Sequence, residues 1–274
     1  MNFLYDEPMA TILVGPDKQK FVIHRTLLCS KSQYFTKALT GSFEESQTGI
    51  VILEDISPVL FQILVTWLHN GKIIYTASDE RSNIKQDFAS LECSMGESER
   101  WKFNHEDPST WPTHVLVELS IFADRLDIKG LGIDVIDALK GSVDSSTYSL
   151  HTPAYDYINS NTTATSPLRR FVVDQLAYDA NYSPANANFW RALPHDMTIE
   201  VLITLGQRVS HRLCSSCYRR GLSWNDVRYN PFQPQPHGAQ DAPTYQVDLC
   251  LYHEHADEGE KEACRARRGK AVVK

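Results

Sequence analysis

The stretch from Lys20 to Glu45, KFVIHRTLLCSKSQYFTKALTGSFEE, changes its apolar period partway along, and this constrains the fold more than any other part of the chain. Phe21 and Ile23 alternate with Lys20 and Val22, the two-residue period of a strand with one buried face. At His24 the pattern changes. Leu27, Leu28, Ser32, Phe35 and Leu39 follow at helical spacing, so one apolar stripe runs along helical turns. A strand therefore hands over to a helical hairpin, which ends in a charged loop at Phe43-Glu44-Glu45.

The flanking segments continue the order. Met9 to Val14 reads as a preceding strand, Gly15 to Lys18 as a turn and Ile50 to Leu53 as a third strand. Ser57-Pro58 starts a helix from Val59 to Leu68, with Leu60, Phe61, Leu64, Val65 and Leu68 on one face. Thr113 to Leu126 and Lys129 to Leu139 read as a later helix pair.

The order F-x-x-H-x-x-x-L-x-x-x-S-x-x-F, running from Phe21 through His24, Leu28 and Ser32 to Phe35, resembles the signature of the BTB (POZ) domain, a protein-interaction module. Asn70-Gly71-Lys72-Ile73 resembles the segment that closes the family's central sheet, and FADRLDIKGL matches a family pattern in the last helix pair. The resemblance implies an α+β fold, a short sheet capped by helical hairpins, extended here by C-terminal helices and a small Cys/His segment. The expected boundaries are a BTB/POZ domain over 1–142 with an insertion at about 76–112, a linker over 143–167, a helical extension over 168–210, and a Cys/His-rich segment with a basic tail over 211–274.

Phe88, Leu91, Trp101, Phe103 and Trp111 show no period within the polar insertion, so it reads as a long loop that docks in part. The linker is rich in Ser, Thr, Asn and Tyr. In the extension Leu168, Phe171, Val172 and Leu176 fit one helix. Phe189 and Trp190 sit in a short one ended by Pro194. Asp196 is placed to cap a third, with Val201, Leu202, Leu205 and Val209 on its stripe.

Composition excludes several classes. The chain has 274 residues, 42% hydrophobic, and a net charge of -7, which disfavours nucleic-acid binding by the whole molecule. No apolar run reaches the ~18 residues that span a bilayer, and MNFLYDEPMA does not read as a secretory signal. The expectation is an intracellular protein of the cytoplasm or nucleus, whose six cysteines stay reduced.

Four of those cysteines cluster late. Cys214 and Cys217 share a C-x-x-C turn, and Cys250 and His253 repeat the spacing, so these four are a candidate tetrahedral zinc set, with His255 or Cys264 as alternates for one member. A redox role for the C-x-x-C is disfavoured because no thioredoxin-like strand precedes it. A BTB domain with a C-terminal YHEH-like cysteine cluster resembles fungal members of the family. Arg265, Arg267, Arg268, Lys270 and Lys274 form a basic tail, read as a solvated, disordered end.

No enzyme reading has residues to rest on. His24 and Cys29, five apart, would point about 140° apart on a helix, and there is no P-loop, dinucleotide G-x-G-x-x-G or G-x-S-x-G elbow. In BTB adaptors that engage the cullin scaffold of ubiquitin ligases, a hydrophobic-x-Glu element resembles Phe43 and Glu45 here. The resemblance thus implies a protein-interaction adaptor or scaffold, as a substrate adaptor of a cullin-RING ubiquitin ligase with an unknown client. The alternative is a transcription- or chromatin-associated BTB protein with a zinc-binding C-terminal segment. Few residues precede the first strand, so the expectation is a monomer or a weak homo-oligomer, without the exchanged dimer of some BTB domains.

Overall fold

The structure is a computed structural model that describes residues 8–76, 87–88, 91, 104–145, 150–179, 186–212, 245 and 248–269. Its sheet is built on β1 (Met9–Val14), which pairs antiparallel with β2 (Gln19–His24) and parallel with β3 (Ile50–Leu53), in the order β2-β1-β3. Ile12 lies opposite both Phe21 and Val51, so the period-two pattern buries Ala10, Ile12, Val14, Phe21, Ile23, Val51 and Leu53 on one face. Val22, Ile50 and Ile52 remain exposed. Among the described residues the sheet stops at three strands: the segment after Gly71, expected to close it, instead sends Ile73 and Tyr75 into the core as irregular chain.

The helical hairpin is α1 (Arg25–Lys31) and α2 (Gln33–Thr40), broken at Ser32, whose backbone is extended (φ -134°, ψ 123°). The break explains why a buried serine stands in the stripe. Its hydroxyl accepts from the Phe35 N–H at 3.1 Å, capping α2, and donates to the Leu126 carbonyl at 2.6 Å. Ser32→Ala removes the cap and leaves that carbonyl without this donor, so a loss of about 2 kcal/mol is expected by denaturant titration.

A short helix α3 (Glu44–Thr48) follows where the sequence reading placed a charged loop. Then comes α4 (Pro58–Asn70), begun by Ser57, whose hydroxyl accepts from the Val59 N–H at 3.3 Å, with Pro58 at the first helical position. α4 is the central pillar. Leu60, Phe61, Ile63, Leu64, Trp67 and Leu68 are all buried, and Phe61 sits 4.8 Å from the Phe21 ring and 6.5 Å from that of Phe122. Phe122 belongs to α5 (Thr113–Arg125), which pairs with α6 (Lys129–Asp144).

Part of the insertion joins this core. Phe88, Leu91 and Trp111 are buried, Phe88 packing 5.0 Å from Tyr75 and 5.5 Å from Trp111, and the Trp111 indole donates to the Asn104 carbonyl at 2.8 Å. Trp101 and Phe103 lie outside the described residues.

The stretch expected to be a linker is in part a helix, α7 (Thr152–Asn161). Its Ser, Asn and Thr content masks the buried stripe of Ala154, Tyr155 and Ile158, and Pro153 falls in the first turn, where a missing N–H costs little. α8 (Pro167–Asp179), α9 (Ala187–Ala192) and α10 (His195–Arg212) follow. Asp196 stands within the first turn of α10 rather than before it. Among the described side chains of α10 the buried positions are Met197 and Val201, with Leu205 packed partly against the core, while the side chain of Val209, expected on the same stripe, lies outside the described ones. Leu202, expected on that stripe, is exposed beside Ile199 and Ile203.

One continuous core runs from the sheet to the last segment, reaching Tyr245 and Tyr252. The chain closes with a 3₁₀ turn, Leu249–Tyr252, and α11 (Glu258–Gly269). Arg265, Arg267 and Arg268 are therefore helical, correcting the disordered-tail expectation, while Lys270 and Lys274 lie outside the described residues. No described helix is long and apolar enough to cross a membrane.

Candidate functional site

Two places combine chemistry with defined geometry. The first is the turn after α2. Gly41 is required there, because a Cβ at this position would fall 2.5 Å from the Lys37 carbonyl oxygen, and the Phe43 ring lies over the same spot at 3.2 Å. Phe43 is the residue before α3 and is 59% exposed. Glu44 and Glu45 form the first turn behind it, and Gly49 ends the helix in the left-handed region at φ 68°. The Arg25 guanidinium donates to the Ser46 carbonyl at 3.2 Å, fastening α3 to the start of α1. Burial raises the Tyr34 phenol above its ordinary pKa, the Glu45 carboxylate adds to the effect, and Arg125 opposes it. The result is an exposed aromatic on a braced turn, next to acidic groups.

The second place is the C-terminal Cys/His segment. Asp248 accepts from the Cys250 N–H at 3.1 Å and so starts the 3₁₀ turn that buries Cys250. His253 follows at the end of the turn, its N–H directed at the Cys250 carbonyl, 3.4 Å away. Asp257 caps α11 by accepting from the Glu260 N–H at 2.8 Å, while the Glu260 carboxylate accepts from the Ala256 N–H at 2.6 Å. The second turn of α11 then presents Cys264. Arg265 beside it pairs with Asp248 and holds that carboxyl below its usual pKa range, so the turn and the helix are locked across the site.

These elements bring Cys250, His253, His255 and Cys264 together, with one donor atom from each lying within 4.8 Å of the others. Cys250, His253 and Cys264 are buried and His255 is half-buried. The Cys264 sulfur is 3.5 Å from His253 Nδ1. Bonds of about 2.0–2.1 Å to nitrogen and 2.3 Å to sulfur put neighbouring donors of a zinc tetrahedron about 3.3–3.8 Å apart, so this edge fits, and no other edge, being at most 4.8 Å, needs to close by more than about 1.5 Å. Two thiols and two imidazoles are also a donor set suited to zinc.

Of the four primary ligands expected from sequence, Cys250 and His253 are in the group. Both alternates, His255 and Cys264, join them, whereas Cys214 and Cys217 lie outside the described residues. The sequence reading missed Asp137 on α6, whose carboxylate oxygen stands 3.3 Å from His253 Nε2. It also missed Asp174 on α8, which accepts from the Tyr252 hydroxyl at 2.5 Å. Neither has a local signal, since each meets its partner only when distant helices pack.

Comparison with known proteins gives the wider relation. Residues 6–92 match the family model of the BTB/POZ domain. The chain is 34% identical over 94 residues to BTB/POZ domain-containing protein 9 of Bos taurus, covering 34% of this chain and 15% of that protein. It is 26% identical over 76 residues to Kelch repeat and BTB domain-containing protein 4 of Homo sapiens, covering 28% of this chain and 14% of that protein. The chain thus spans only a small part of the length of the curated relatives it matches.

Proposed function

We propose that this chain, which carries a BTB/POZ domain over residues 6–92, is an adaptor that uses the Phe43 turn to engage a cullin scaffold and presents a client through the rest of its surface. The observation that carries the reading is Phe43 itself. A large aromatic is held out of the core on a turn braced by Gly41 and Arg25, with Glu44 and Glu45 at its edge. Interfaces concentrate their energy in such anchors, with charged rims setting partner choice. The protein-interaction role of the BTB fold supports the assignment.

The test is a titration of the full chain against a purified cullin N-terminal domain. Phe43→Ala is expected to weaken binding by about 2 kcal/mol, roughly thirtyfold, with little change in thermal stability because the ring is exposed. Glu45→Lys should weaken it further by reversing charge at the rim. The adaptor assignment fails if the wild type does not bind at tens of micromolar, or if Phe43→Ala melts far below the wild type.

A transcription- or chromatin-associated role is the second reading. It is favoured by Arg265 and Arg267 on α11, next to the Cys/His group, although Arg265 is already engaged by Asp248. DNA binding by the full chain that falls steeply with salt is its signature. In either reading a structural zinc ion belongs to the C-terminal segment, and the Cys/His group supports it.

A further inference from the structure

Building on the proposed structural zinc, we infer that Cys250, His253, His255 and Cys264 form the whole donor set without Cys214 or Cys217, and that Asp137 on α6 positions His253, so the metal clasps the C-terminal segment to the helix that completes the interaction domain.

The argument begins with the ring of His253. Its Nδ1 faces the Cys264 sulfur at 3.5 Å, and its Nε2 faces the Asp137 carboxylate at 3.3 Å. The two ring nitrogens therefore have different surroundings. A metal among the four donors takes Nδ1 and leaves Nε2, which is buried and makes no hydrogen bond in this arrangement, 3.3 Å from a carboxylate able to accept its N–H once the site closes. Such a bond fixes the tautomer and orientation of a ligating imidazole. The ring itself is buried, so it cannot swing out to trade the two roles without breaking the packing around it.

The four donors are also complete as a set. Two thiols and two imidazoles fill a tetrahedron and leave no position for a further cysteine. They come from one compact stretch, joined by the Asp248–Arg265 pair and by the cap of α11. Asp137 comes from a distant part of the chain. Tyr252, inside the same stretch, is bound to Asp174 on α8 and packs 5.6 Å from the Phe171 ring. Metal binding, which draws the four donors inward, thereby fixes the segment against both α6 and α8.

The experiment uses the full chain, purified without chelator, with zinc measured by elemental analysis and the site read by cobalt substitution. Wild type is expected to hold one equivalent of zinc, and its cobalt form to show a tetrahedral spectrum with thiolate-to-metal bands from two sulfurs. Cys214→Ser/Cys217→Ser should keep both. Cys264→Ser and His255→Gln should each lose the metal, with circular dichroism confirming that the helical core remains folded. Asp137→Asn should keep the stoichiometry yet lose metal to a competing chelator at ten- to a hundredfold lower concentration. Absence of zinc from wild type overturns the zinc reading itself. Zinc present in wild type but lost from Cys214→Ser/Cys217→Ser, or retained in Cys264→Ser, overturns this donor set alone and leaves the zinc reading standing. Unchanged chelator competition in Asp137→Asn removes the clasp to α6. None of these outcomes bears on the cullin titration.

Discussion

Replacing Trp111 by alanine is expected to lower stability by about 3–5 kcal/mol, the range for removing a buried aromatic. Trp111 is only 1% exposed, packs against Phe88, and donates its indole N–H to the Asn104 carbonyl at 2.8 Å. The loss therefore combines a cavity with a broken hydrogen bond. For a chain of this size each kcal/mol shifts the melting midpoint by about 2–4 °C, so a fall of roughly 10 °C is expected by calorimetry. Trp111→Phe, which keeps most of the ring volume, should recover about half. A midpoint within a degree or two of wild type in Trp111→Ala would show that the end of the insertion lies against the core without supporting it.

The second large effect is expected at Arg169. This guanidinium is only 5% exposed, yet it is charged, and its neighbours account for that. It holds Glu200 of α10 through two contacts, at 2.9 and 3.0 Å, and reaches the Asn159 and Thr162 carbonyls at the end of α7 at 3.4 and 3.5 Å. One side chain thus joins α7, α8 and α10. Arg169→Met leaves a carboxylate and two carbonyls without it. Because Glu200 keeps some contact with water, the cost is set at about 2–3 kcal/mol, below the full value for a buried pair. Arg169→Lys should recover only part of it, since an ammonium cannot make the fork. Arg169→Met/Glu200→Leu should be more stable than Arg169→Met alone. Additive losses in that double variant, measured in urea, would mean the pair does not couple the helices.

The helix from 152 to 161 shows where composition misleads. Ser, Asn and Thr mark turns because their side chains compete for backbone hydrogen bonds. Ala154, Tyr155 and Ile158 outweigh that preference once α5 and α8 offer them a surface. The outward turn of Leu202 has a related cause. A stripe drawn from spacing alone does not say which of two adjacent apolar rows meets the core, and Met197, Val201 and Leu205 take that place. The expected closing strand after α4 had a similar ambiguity, because Ile73 and Tyr75 satisfy an alternating pattern whether or not a neighbouring strand is there to pair with them.

What the amino-acid order determined by itself is local: the switch from strand to helix at His24, the helix start at Ser57-Pro58, Phe43 beside its carboxylates, and the identity of the late cysteines and histidines as side chains that could hold a metal. Each depends on neighbours within a few residues, so period, cap and donor chemistry can be read along the chain. Only tertiary structure decided which donors meet, that Asp137 faces His253, that Trp111 packs on Phe88, and that Arg169 ties three helices together. Those relations depend on how helices pack at long range, where a single carboxylate or indole carries no periodic signal until its partner arrives.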